Sequence, residues 1–152
     1  IKLKQVRPFT VKDQSFFPPK KSIFNKIVGD SQLELDFACF LDNCQDIISY
    51  AKNYFAVNLR SDYVNSDCNI SNFYPDFIVK VSEKMIYIVE TKGLEDLDVP
   101  LKMERLKQWC LDVNKVQTAV KIDFIYVDEE SFLRYRPKSF KSLIDSFREY
   151  KE

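Results

Sequence analysis

Asp76, Glu90 and Lys92 are the residues whose types and spacing can act together chemically. They sit in the run Asn72-Phe-Tyr-Pro-Asp-Phe-Ile-Val-Lys-Val-Ser-Glu-Lys-Met-Ile-Tyr-Ile-Val-Glu-Thr-Lys-Gly93, which is rich in Ile, Val, Phe and Tyr on both sides of Ser82-Glu83-Lys84. That pattern predicts two strands joined by a short turn. Asp76 lies seven residues before Glu83 and Glu90 seven after it. A symmetric hairpin therefore places them opposite one another on one face, with Lys92 two residues further along it. Directly opposed side chains have Cβ atoms about 4.5–5.5 Å apart, and like charges there are destabilising. Ile78, Ile86 and Ile88 share the face, so it is expected to meet a core. Two acids opposed on such a face need a cation between them. Without one, mutual repulsion and burial should both raise at least one carboxylate pKa. The alternative is a plain Glu90–Lys92 charge pair exposed on an edge strand.

These residues carry a family resemblance. Pro75-Asp76, a spacer and Glu90-Thr91-Lys92 resemble the PD-(D/E)xK nuclease signature. The longer run Tyr74-Pro-Asp-Phe-Ile-Val, followed by Val89-Glu-Thr-Lys-Gly93, is similar to the C-terminal endonuclease domain of type III restriction enzyme Res subunits. The similarity extends from Phe24 to Val127 and takes in Asp30-Ser-Gln-Leu-Glu34, Tyr50-Ala-Lys-Asn53 and the segment from Lys102 through Trp109-Cys110. It implies a Mg²⁺-dependent DNA endonuclease, with Mn²⁺ as a possible substitute, on a restriction-endonuclease-like αβββαβ core. By the same resemblance Asp76, Glu90 and the Thr91 carbonyl would hold the metal, and Glu34 would join them directly or through water.

The chemistry agrees with that expectation. Phosphodiester hydrolysis needs a nucleophile made from water and compensation for charge on the phosphoryl oxygens. Oxygen ligands such as Asp76 and Glu90 suit Mg²⁺, which keeps several of its own waters. Lys92, on the same face, could orient the attacking water or neutralise the pentavalent state. The chain contains no histidine, which excludes Ser-His-Asp and Cys-His catalysis. The family further implies an ATP-driven helicase-like region in the same parent chain, a methyltransferase or specificity subunit, and double-stranded DNA as substrate. With one site per chain, cutting both strands would require a second copy. No G-x-x-x-x-G-K-[ST] phosphate loop occurs here, so ATP would belong to the parent's other region. The competing reading is a catalytically silent nuclease fold that docks DNA or protein.

At 152 residues, with 45% apolar and 30% charged content, the chain suits one domain with a sizeable core. Lys plus Arg and Asp plus Glu balance at 23 each. Autonomous nucleic-acid binders usually carry a basic excess, so either this domain does not bind nucleic acid or other domains deliver the substrate. No apolar run of about 18 residues and no signal-peptide core is visible, and no membrane partner is expected. Cys39, Cys44, Cys68 and Cys110 lack C-x-x-C spacing, which predicts free thiols in a reducing cytoplasm.

Residues 1–29, with Pro8, Pro18 and Pro19, read as an extended arm or linker from a larger chain. A core spanning 30–130 follows, then a basic segment and helix over 131–152. The first helix is expected to start at Asp30-Ser31, its stripe formed by Leu33, Phe37, Phe40, Leu41 and Cys44. Glu34 completes a Ser-x-x-Glu capping box there, so it can be read as a cap or as a site residue. Residues 56–64 alternate enough for the first core strand. A second helix is expected from Asp98 to Val116, with the stripe Val99, Met103, Leu106, Trp109, Cys110, Val113 and Val116. Lys102 falls inside that stripe and near the helix N-terminus, where a cation is disfavoured. It is either a substrate-binding residue or a lysine snorkelling over apolar surface. A strand over 120–127 and a helix over 138–150 complete a central mixed sheet flanked by helices. The local cluster Arg134, Arg136, Lys138 and Lys141 reads first as a solvated face.

Overall fold

The structure, a computed structural model, describes residues 3–12, 14–94 and 96–151. After a short 3-10 turn at Leu3–Gln5 the chain runs β1 (Phe16–Phe17), β2 (Ile27–Val28), α1 (Gln32–Asn43), β3 (Ser49–Lys52), β4 (Ser61–Val64), β5 (Ile70–Phe73), β6 (Phe77–Ser82), β7 (Met85–Lys92), α2 (Val99–Val116), β8 (Lys121–Asp128), α3 (Glu129–Tyr135) and α4 (Phe140–Ser146). The central sheet has the order β3-β6-β7-β8. Its first two pairings are antiparallel and β7–β8 is parallel, reached by the α2 crossover. The core sequence α1-β3-β6-β7-α2-β8 is thus the expected αβββαβ, a mixed sheet between helices.

The hairpin register is the one that symmetry about Glu83 predicts. Phe77 pairs with Val89, Ile78 with Ile88, Val79 with Tyr87 and Lys80 with Ile86. An irregularity between Lys80 and Ser82 then brings Ser82 opposite Met85 and tightens the turn to Glu83-Lys84. Because register fixes which face each side chain takes, it divides the core in two. Phe77, Val79, Tyr87, Val89, Ile125 and Val127 pack against α1, α3 and α4 through residues such as Phe37, Leu41, Phe132, Phe140 and Leu143. Ile78, Ile86, Ile88, Phe124 and Tyr126 pack on the other face against Val99, Met103, Leu106 and Cys110 of α2.

Several expected elements lie elsewhere. The first core strand is Ser49–Lys52, not 56–64. It is short and buried along most of its length, so its sequence carries no alternation to read. Residues 61–64 instead pair with β5 in a separate two-stranded sheet that leans on α2. The α2 stripe ends before Val116, which is 88% exposed. The C-terminal helix covers Phe140–Ser146 only, and a further helix, α3, precedes it. Arg136, in the left-handed region at φ 44°, ends α3.

The start of α1 is fixed by local chemistry. The Ser31 hydroxyl accepts the Glu34 N–H at 3.3 Å, and the Glu34 carboxylate accepts from the Asp30 N–H at 3.0 Å, one residue before the usual box partner. Gly29 precedes this cap, where a Cβ would stand 2.9 Å from the Ser31 carbonyl oxygen. All four cysteines are free; Cys44 and Cys110 are buried, and burial pushes each thiol up to about 12. No described helix is long and apolar enough to cross a membrane.

Candidate active site

The site forms where β3, β6 and β7 meet at one end of the sheet. Asp76 stands just ahead of β6, and its N–H donates to the Val89 carbonyl at 3.0 Å, which carries the hairpin pairing past the end of the strand. The same register places Asp76 opposite Glu90. Asn53, directly after β3, ties this corner down. Its backbone N–H donates to the Asp76 carbonyl at 2.7 Å, and its side-chain amide donates to the Pro75 and Leu59 carbonyls, each at 2.7 Å.

The two acids differ in how they are held. Asp76 Oδ2 accepts from the Thr91 N–H at 2.8 Å and from the Thr91 hydroxyl at 2.7 Å. Its Oδ1 lies 3.8 Å from Lys52 Nζ. Glu90 is 9% exposed, and its Oε2 is buried with no hydrogen-bond partner among the described residues. Burial, then the Asp76 carboxylate, lift the Glu90 pKa well above its ordinary value, against the pull of Lys102, Lys92 and Lys52. Burial also raises Asp76, with Lys52 opposing and Glu34 adding to the rise. The raised carboxylates expected from an uncompensated pair are therefore present. Because β7 lies between β6 and β8, the exposed edge-strand reading of Glu90 is excluded.

The lysines divide between two acids. Lys92 Nζ lies 3.0 Å from Asp96 Oδ2, and Lys102 Nζ lies 3.9 Å from the same oxygen. Lys102 also stands 5.8 Å from the centre of the Tyr63 ring. Both lysines act on Glu90 electrostatically, so the α2 stripe does bring Lys102 to the Asp76–Glu90–Lys92 face. Glu34 comes from α1, on the opposite face, and reaches the same corner through Lys52, whose Nζ is 2.6 Å from its Oε2. Burial disfavours the Lys52 ammonium, but Asp76 and Glu34 outweigh it and raise its pKa.

Nothing in the sequence pattern assigns a role to Lys52, Asn53 or Asp96. Lys52 and Asn53 lie in the Tyr50-Ala-Lys-Asn53 run of the resemblance, and a lysine ending a buried strand is the signal that could have marked them. Asp96 follows Gly93 in a loop and carries no signal of its own. The Arg134, Arg136, Lys138 and Lys141 cluster is exposed on the α3–α4 segment, whose apolar side chains pack on the face opposite Glu90. A cleft of about 380 Å³ opens onto Asp76 and Lys52 between Lys12, Val28, Tyr54, Phe55 and Tyr74. The larger cavity, about 800 Å³ between the N-terminal arm and residues 23–26, contains none of the acids.

Among the described residues, no group of three or more His, Cys, Asp or Glu side chains could by itself hold a metal ion. Two adjacent carboxylates with one buried, unpartnered oxygen still fit a hard divalent cation that fills its remaining positions with carbonyl oxygen and water. Such an ion would also offset the charge that raises Glu90.

No curated protein and no solved structure matches the chain. The family model described as an endonuclease domain matches residues 20–130, which include β2 through β8 and every residue of the corner just described. With that span covering most of its length, the chain belongs to the endonuclease domain family, a nuclease of restriction-endonuclease-like fold whose substrate is DNA.

Proposed function

We propose that this domain hydrolyses DNA phosphodiester bonds with Mg²⁺ at Asp76, Glu90 and the Thr91 carbonyl, with Glu34 acting at one remove through water. The observation that carries the reading is the buried Glu90 oxygen without a partner, opposite Asp76 and under the influence of three lysines. A divalent cation bound there would supply countercharge for the phosphoryl oxygens and acidify water.

The chain's own residues do the rest. Thr91 holds Asp76 in one orientation, so that a carboxylate need not reorganise as charge develops. Lys92 orients the attacking water or neutralises the pentavalent state, and Lys102 binds the substrate phosphate. Both now share Asp96, an exposed carboxylate whose charge a DNA phosphate can replace.

The extended similarity around Tyr74–Val79 and Val89–Gly93 supports a type III-like Res subunit as the parent. That parent would bring an ATP-driven helicase-like region, a methyltransferase or specificity partner and, for double-strand cleavage, a second copy, all working in the cytoplasm. The formal charge of zero supports delivery of DNA by such partners. The test is incubation with supercoiled plasmid and Mg²⁺ or Mn²⁺. Nicking by the wild type but not by Glu90→Ala is expected. Equal residual nicking by both would sink the catalytic reading and favour a silent docking module.

A further inference from the structure

Lys52 has no step assigned to it in the hydrolysis proposed above, yet at 5% exposure it is the most deeply buried charged residue described. Its ammonium lies 2.6 Å from Glu34 Oε2, 3.8 Å from Asp76 Oδ1 and 5.4 Å from the centre of the Phe77 ring. The position is built in by the sheet. Lys52 pairs with Phe77, and the next residue's N–H is bonded to the Asp76 carbonyl. An ammonium offers three donors and no lone pair, so it can satisfy carboxylates but cannot ligate a metal. A second divalent ion shared by Glu34 and Asp76 would need the place that Lys52 Nζ holds.

We propose that Lys52 is a built-in counter-cation that occupies Glu34 and one oxygen of Asp76, so that the site takes a single divalent ion on Asp76 and Glu90. The inference rests on the metal-dependent reading above. Charge balance agrees with it. Glu34, Asp76 and Glu90 less the Lys52 ammonium leave two negative charges, which one divalent ion offsets, while Lys92 and Lys102 against the single Asp96 leave one positive charge for a substrate phosphate. Lys52 is thus a positioning residue: it keeps Glu34 from ligating the ion directly and stands 3.8 Å from the Asp76 oxygen that Thr91 leaves free.

The experiment counts Mn²⁺ bound per chain by equilibrium dialysis, with free Mn²⁺ read by electron paramagnetic resonance. One saturable site is expected in the wild type and none in Asp76→Asn. Two sites in the wild type would overturn the inference and leave the metal reading standing. No site in either protein would overturn both. Lys52→Met should gain a second site, because Glu34 is released; a count that stays at one in the folded variant also overturns the proposal. Removing a buried cation beside two acids can unfold the chain. The double variant Lys52→Met/Glu34→Gln leaves no uncompensated Glu34 carboxylate and is expected to bind one ion. A wild-type count of two overturns the proposal even where neither variant folds.

Discussion

Thr91 donates both its backbone N–H and its hydroxyl to a single oxygen of Asp76, at 2.8 and 2.7 Å. The two bonds aim the other oxygen at Lys52 and keep the carboxylate fixed beside Glu90. Thr91 therefore serves the site through three atoms, its N–H, its hydroxyl and, in the proposed reading, its carbonyl.

Thr91→Val keeps the shape, the N–H and the carbonyl but removes the hydroxyl. A loss of about 1.5–3 kcal/mol in stability is expected, the usual worth of a hydrogen bond to a charged group. Plasmid nicking should fall more steeply than the melting temperature suggests, because Asp76 then keeps only the Thr91 N–H bond and is held less firmly. Thermal melts and nicking rates on the same preparation check this; unchanged nicking would mean the hydroxyl only packs.

Glu90 carries the stability consequence of the acid pair. Its folded pKa is raised, so the native state holds the proton more tightly than the unfolded state does. That contribution favours folding below the ordinary glutamate value, about 4.3, and is lost as pH climbs from there to the folded value. Glu90→Gln should therefore melt higher than the wild type in chelator at pH 7, by about 1–2 kcal/mol or some 3–6 °C at this length. The difference should shrink below about pH 4, where the wild-type acid is protonated in both states. The variant should also lose most of the stabilisation that excess Mg²⁺ gives the wild type. A variant that melts lower in chelator at neutral pH would show that Glu90 is compensated after all.

Asp96→Asn should release Lys92 and Lys102 from their shared partner. Binding of a short DNA duplex in Ca²⁺ is expected to tighten several-fold and its salt dependence to steepen, since two cations become free for phosphate. Because the Asp96 carboxylate is half exposed, the change in melting temperature should be small. Weaker DNA binding would show that Asp96 arranges the lysines for substrate instead of competing with it.

Lys102→Met retains the α2 stripe and removes the charge. Cleavage should fall while Mn²⁺ binding is roughly kept, because a lysine supplies no metal ligand. Wild-type cleavage in this variant would assign Lys102 to apolar cover alone.

Glu34→Gln separates the cap from the ion pair. Gln can still accept from the Asp30 N–H, so the helix start is retained. Lys52 loses its closest carboxylate, and stability should fall by about 2 kcal/mol, more than a capping role alone predicts. A melting temperature within a degree of the wild type would show that the buried pair contributes nothing net.

The features legible in the residues alone are local or periodic. Strand alternation about Glu83 set the face shared by Asp76, Glu90 and Lys92, and the observed register keeps it. The Asp30-Ser31 signal located the start of α1, and the stripe of α2 located Lys102 on the face where the lysine is found. The αβββαβ order followed from those periods and from the resemblance. Tertiary structure decided the rest, because it depends on contacts between segments far apart in the chain. Ser49–Lys52 becomes a core strand by pairing with β6 and not through any pattern of its own, and 61–64 is diverted to a side sheet by β5. Lys52 becomes a site residue only because β3, β6 and α1 bring three charges from distant segments within ion-pair range. Asp96 meets Lys92 four residues away by a local turn, and the start of α2 adds Lys102 to the same oxygen. Periodicity reports which face a residue takes; which charges then meet across that face is settled by packing.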